Sequence, residues 1–153
     1  MTIQLPILLN NWQGDTAATV FTAFDGQQWS AYREPDAIPV EEKPEFKGAE
    51  ILLASYGTPS YEGYAFVLFR RGGKLYEVNG SHCSCYGLEG QWEPEETTVE
   101  ALRHRVAQGN LGAGKWDENP FAAELLQVLE ALDSESKTKD NAALRTLARL
   151  SDE

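Results

Sequence analysis

The chain's only two histidines and only two cysteines, His82, Cys83, Cys85 and His104, all fall between positions 82 and 104. Thiolate and imidazole are the ligands a zinc ion prefers, set out as a tetrahedron. Spacing works against that use. In an extended run Cys83 and Cys85 share a face while His82 turns the other way, and Cys-x-Cys lacks the two-residue spacer of a zinc knuckle. On the helix expected after them, Val99, Leu102 and Val106 mark the buried side and His104 lies roughly opposite. Two readings stay open: a zinc site drawn from His82, Cys83, Cys85 and His104, or two buried thiols beside a helix with a surface histidine. His82 or a nearby carboxylate could still complete a site with the cysteines. Cysteine attack with histidine as base needs a thiol of lowered pKa, commonly at a helix N-terminus. Tyr86-Gly87 after the pair reads as a turn instead.

A second concentration of chemistry is Glu89-Gly-Gln-Trp-Glu-Pro-Glu-Glu, where Glu89, Glu93, Glu95 and Glu96 surround Trp92. Paired carboxylates can serve as the acid and base of a glycosidase. They can also form an interaction patch with Trp92 as its aromatic anchor, or stabilise the start of the next helix through its dipole. Arg70, Arg71 and Lys74 bracket Gly72-Gly73, where they could hold a phosphate or simply solvate a hairpin tip. Nothing matches a Walker loop or a dinucleotide fingerprint. No catalytic residue is assigned.

The elements that must position these groups are legible in outline. Residues 1–12 are extended in character, and Pro6 suits an edge strand or a covering arm. Residues 16–33 read as a hairpin: Thr19–Phe24, the turn Asp25-Gly26, then Gln28–Tyr32. An amphipathic helix over 15–24 competes with it. Residues 34–48 carry Pro35, Pro39, Pro44 and Gly48 among acids and read as a surface loop.

Ala49–Tyr56, Tyr61–Arg71 and Lys74–Asn79 are three strands, with a turn at 57–60 and a tight turn at Gly72-Gly73. Tyr64, Phe66 and Leu68 face one way and Ala65, Val67 and Phe69 the other, so the second of these strands is central and covered on both sides. Residues 80–96 read as a Gly- and acid-rich loop. Thr97 and Glu100 form a capping box for a helix ending near Gln108, before Gly109-Asn110. Residues 109–119 are loop. Asn119 caps a further helix with Pro120 at its first position, and Phe121, Leu125, Val128, Leu129 and Leu132 are its buried stripe. A polar, mobile stretch over 134–139 precedes a last short helix carrying Leu144, Leu147 and Ala148.

The expected fold is therefore α+β: a central antiparallel sheet with two to three helices in the C-terminal half, in a single domain over 1–153. A chain of 153 residues, 42% apolar with four tryptophans, can bury a core without metal or disulfides. Net charge is −11, and only the strand segment 49–88 is balanced. Such a field repels nucleic acid and anionic membranes, and it suits a basic protein partner or plain solubility. A bridge between Cys83 and Cys85 would be badly strained, so the cysteines read as thiols in a reducing compartment. No signal peptide or membrane span is legible.

Four segments are distinctive: Tyr-Gly-Thr-Pro-Ser-Tyr-Glu-Gly at 56–63, Tyr-Glu-Val-Asn at 76–79, Ser-His-Cys-Ser-Cys-Tyr-Gly-Leu-Glu-Gly-Gln-Trp at 81–92 and Glu-Glu-Thr-Thr-Val-Glu-Ala-Leu-Arg-His-Arg at 95–105. Together they resemble a family of short uncharacterised proteins of tailed phages and prophages. The resemblance covers about a third of the chain, brings no activity with it, and implies a bacterial host cytoplasm. The expectation drawn from all of this is a non-enzymatic accessory protein that binds a basic host protein, of the anti-CRISPR or anti-restriction kind. A small zinc protein or enzyme using the 82–104 cluster, and a virion structural or assembly protein, are the alternatives.

Overall fold

The computed structural model describes residues 3–25, 38–58, 62–83, 87–114 and 119–151. The strands are β1 (Ile7–Asn10), β2 (Glu50–Gly57), β3 (Gly63–Arg71), β4 (Lys74–His82) and β5 (Glu95–Thr97), and the helices are α1 (Ala17–Asp25), α2 (Val99–Ala107) and α3 (Ala122–Ser151). The five strands form one sheet in chain order. β1 runs parallel to β2 and every other pair is antiparallel. The fold is thus α+β with a mostly antiparallel sheet and, among the described residues, two of three α-helices in the C-terminal half.

β3 sits at the centre because both of its faces are apolar. Ala65, Val67 and Phe69 join Trp12, Phe21, Phe24 and Phe46 in the core under α1. Phe66 and Leu68 join Leu102, Phe121, Leu125 and Leu129 in the core under α2 and α3. The β3–β4 turn needs glycine: Gly72 and Gly73 have φ of 60° and 78°, the sense that matches the twist of a tight hairpin.

Several expectations are corrected. Residues 17–25 are helix, not the first strand of a hairpin. An extended run would split Phe21 and Phe24 between two faces, whereas a helix turns Val20, Phe21 and Phe24 together onto the sheet, and burial overrides the β-propensity of the Thr-Val run. The proposed partner strand, 28–32, lies outside the described residues. β4 continues to His82 and β5 forms within what reads as loop. The cap of α2 is Thr98, whose hydroxyl accepts from the Ala101 amide at 3.1 Å, and Thr97 belongs to β5 instead. Thr98→Ala is expected to lower stability by about 1 kcal/mol and Thr97→Ala by less, measured by urea unfolding.

Asn119 does not cap a helix. It is buried at 2% exposure and links β2 to the approach of α3: its Oδ1 accepts from the Ser55 hydroxyl at 2.5 Å and from Asn10 Nδ2 at 3.1 Å. The Gly112 carbonyl takes the amides of Phe121 and Ala122, each at 3.1 Å. α3 then runs unbroken to Ser151, with no break over 134–139. Among the described residues, no helix is long and apolar enough to cross a membrane.

Candidate functional site

The acidic segment is held on an aromatic base. Trp92 stacks on Phe69 at 5.2 Å and meets Phe21, Phe24 and Phe46 edge-on at 5.8, 5.2 and 5.0 Å. Its indole N–H donates to the Glu45 carbonyl at 3.1 Å. Trp92 is therefore turned into the core rather than out toward a partner, and it pins the 89–96 segment in place.

Around it, Glu89, Glu93, Glu95 and Glu96 are exposed. Glu95 and Glu96 lie on β5, at the edge of the sheet, opposite Glu77 and Tyr76 of β4. The bond from Trp92 to Glu45 brings the loop carrying the exposed Glu41, Glu42 and Glu45 alongside. Sequence reasoning missed this second arm, because it joins the first through tertiary contacts, the indole bond to Glu45 and the packing of Trp92 on Phe46. Nearby cations are largely committed. Lys43 pairs with Asp25 at 2.7 Å, and Lys74 reaches Glu96 only loosely, at 3.9 Å.

The histidines are not brought together. His82 lies on the α1 side of the sheet, where its Nδ1 meets the Tyr56 hydroxyl and its ring fills the space over Gly63. His104 is exposed on α2, which packs through Leu102 onto the opposite side. The sheet lies between the two imidazoles, so His104 cannot join His82 on one ion. Cys83 is exposed rather than buried, and Cys85 lies outside the described residues. Among the described residues no group of three or more His, Cys, Asp or Glu side chains is placed to hold a metal.

Tyr56 stacks on Trp12 at 5.0 Å. Burial, aided by the negative charge of Glu89, raises its pKa above the ordinary phenol value of 10.0. The phenol thus stays protonated, and its hydroxyl shares a hydrogen bond with His82 Nδ1.

The three basic residues at the β3–β4 turn are all engaged. Arg70 Nε donates to Glu50 at 3.0 Å and its Nη1 to Glu135 at 2.8 Å. Arg71 lies over the rings of Phe69 and Tyr76, 5.5 and 5.7 Å from their centroids. With Lys74 near Glu96, no cluster of uncommitted cations is left for a phosphate.

Two open clefts flank the far end of the β3–β4 pair. One, of about 510 Å³, is lined by Glu62, Tyr64, Ser81, His82, Cys83, Glu89 and Gln91. The other, of about 420 Å³, opens where α2 and α3 cease to cover the sheet, between Tyr64, Asn79 and Ser81 on one wall and Arg105, Asn110 and Phe121 on the other. Gln91 forms the ridge they share. Its Oε1 accepts from the Ser81 amide at 2.8 Å and its Nε2 donates to the Ser81 carbonyl at 2.6 Å, completing the strand edge as a neighbouring backbone would.

No protein-family model, curated protein or solved structure matches the chain. The geometry defines the fold class alone, an α+β domain whose described strands form a five-stranded, mostly antiparallel sheet.

Proposed function

We propose that the chain is a non-enzymatic acidic protein that binds a basic protein partner through the glutamate rim around Trp92. The observation that supports this reading most is the rigid mounting of the rim. Glu93, Glu95 and Glu96 sit on a short edge strand and a segment locked to the aromatic core, with Glu45 drawn in by the indole bond. Carboxylates held apart on an ordered base keep their geometry without a partner. Little ordering entropy is then lost on binding, and electrostatic complementarity speeds encounter with a positive surface. The rim's charges also oppose approach of DNA or RNA, whose phosphates they resemble.

In the phage setting that the resemblance implies, the partner is a host defence protein. The rim occupies that protein's nucleic-acid groove by imitating a phosphate backbone. The test is affinity capture from bacterial lysate at low salt, followed by binding assays with each candidate. A stoichiometric basic partner is expected. Its affinity should fall as salt rises, and the triple variant E93Q/E95Q/E96Q should bind at least about tenfold more weakly, which corresponds to about 1.4 kcal/mol. Absence of any stoichiometric partner at low salt, or tight binding of the protein itself to DNA or RNA, would end the proposal.

A further inference from the structure

The cleft beside α2 differs in chemistry from the rest of this surface. In a chain with 24 acids, none of the described residues that line the cleft is a carboxylate. Asn79, Ser81 and Asn110 are exposed within it, and the side chains of Asn79 and Ser81 have no hydrogen-bond partner among the described residues. Tyr64, 38% exposed, is one of three large hydrophobic residues left open to solvent among the described residues. Arg105, the one cation among the described lining residues, is tethered: its Nη1 donates to Glu77 at 2.7 Å, and that carboxylate is buried on β4.

The walls are equally fixed. Asn119 is tied to Ser55, and the Gly112 carbonyl takes the first two amides leading into α3. The volume, about 420 Å³, lies within the range of small-molecule sites, roughly 300–1,000 Å³.

Elimination narrows the ligand. A cation would meet the Arg105 guanidinium. An anion would find that guanidinium already neutralised by Glu77, inside the field of a protein of net charge −11. An apolar molecule would strand the amides and the hydroxyl unpaired. A sugar satisfies all of them. Each of its hydroxyls both donates and accepts, as the amide of Asn79 and the hydroxyl of Ser81 do, and its C–H face can lie on an exposed tyrosine ring.

We infer that this cleft binds a neutral mono- or disaccharide. This site is separate from the glutamate rim and stands or falls independently of it. The experiment is an NMR titration of the full chain with glucose, galactose, N-acetylglucosamine, maltose and cellobiose, and with inorganic phosphate as the anionic comparison.

At least one sugar is expected to saturate the signals of the Asn79 side-chain amide, Ser81 and Gly112 with a Kd on the order of 1 mM. Asn79→Ala and Tyr64→Ala, both at exposed positions, are expected to weaken that binding about fivefold or more. Glu93→Gln is expected to leave it unchanged. If either variant lowers the melting temperature, Ser81→Ala takes its place. The inference is overturned if no sugar shifts these signals at about ten times that concentration. It is equally overturned if the shifts scatter over the surface or ignore the substitutions, or if phosphate saturates the same residues more tightly.

Discussion

Trp92→Ala is expected to lower unfolding free energy by about 3 kcal/mol, near the lower end for removing a large aromatic from a core. Trp92 is only half-buried, which argues against the upper end. It nonetheless joins four phenylalanines from α1, the 43–48 loop and β3, and alanine would leave a void that those rings cannot close together. For a chain of this size the loss corresponds to a fall in Tm of roughly 10 °C, measurable by calorimetry. Trp92→Phe should recover most of the packing but not the bond to the Glu45 carbonyl.

The same variants separate two roles for the residue. An outward-facing anchor would lose partner affinity on truncation while stability moved by no more than about 0.5 kcal/mol. The placement of Trp92 requires the opposite order, with stability falling first and the rim loosening as a consequence.

Arg105→Ala is expected to cost about 3 kcal/mol, the scale of breaking a buried ion pair from one side. Glu77 is 6% exposed, its Oε1 accepts from Arg105 at 2.7 Å, and its Oε2 has no hydrogen-bond partner among the described residues. Glu95 faces it across the β4–β5 ladder, a like-charge pairing that is itself unfavourable. Without Arg105 the carboxylate would be buried beside another negative charge with nothing to offset it. Replacing both partners, Glu77→Leu with Arg105→Met, should return most of the loss, because the desolvation penalty leaves with the charges.

Arg103 provides the control. It also pairs with a carboxylate, Asp133 of α3, but both side chains are solvent-exposed, so Arg103→Ala should cost no more than about 0.5 kcal/mol. Urea denaturation of the three variants checks the set. An Arg105→Ala loss as small as that of Arg103→Ala would mean that Glu77 is not held by this contact.

The strands were the most legible part of the chain, for a physical reason. A strand's side chains alternate strictly, so a run apolar on both faces, such as 64–69, has to be central and covered twice. Gly72-Gly73 marks its turn because few other residues tolerate the backbone angles required there. The segment over 17–25 was ambiguous because its Thr, Val and Phe residues suit a strand by propensity and a helix by spacing. Only the presence of an apolar sheet face to receive Val20, Phe21 and Phe24 decides between them. Thr97 and Thr98 present the same oxygen one residue apart, and the pairing of Thr97 with Leu75 in the ladder leaves the cap to its neighbour.

Of the candidate site, the sequence alone established the stock of carboxylates from Glu89 to Glu96 and their clustering about one tryptophan, because charge and composition are properties of the covalent chain. It also established the central strand, because periodicity is local. The tertiary structure decided which way each group points. It turned Trp92 inward, added Glu45 from a segment far away in sequence, made Asn119 a buried tie rather than a cap, and put a sheet between His82 and His104. Those outcomes depend on long-range packing, where burying an aromatic ring or satisfying a buried amide outweighs the weak local preferences that sequence spacing records.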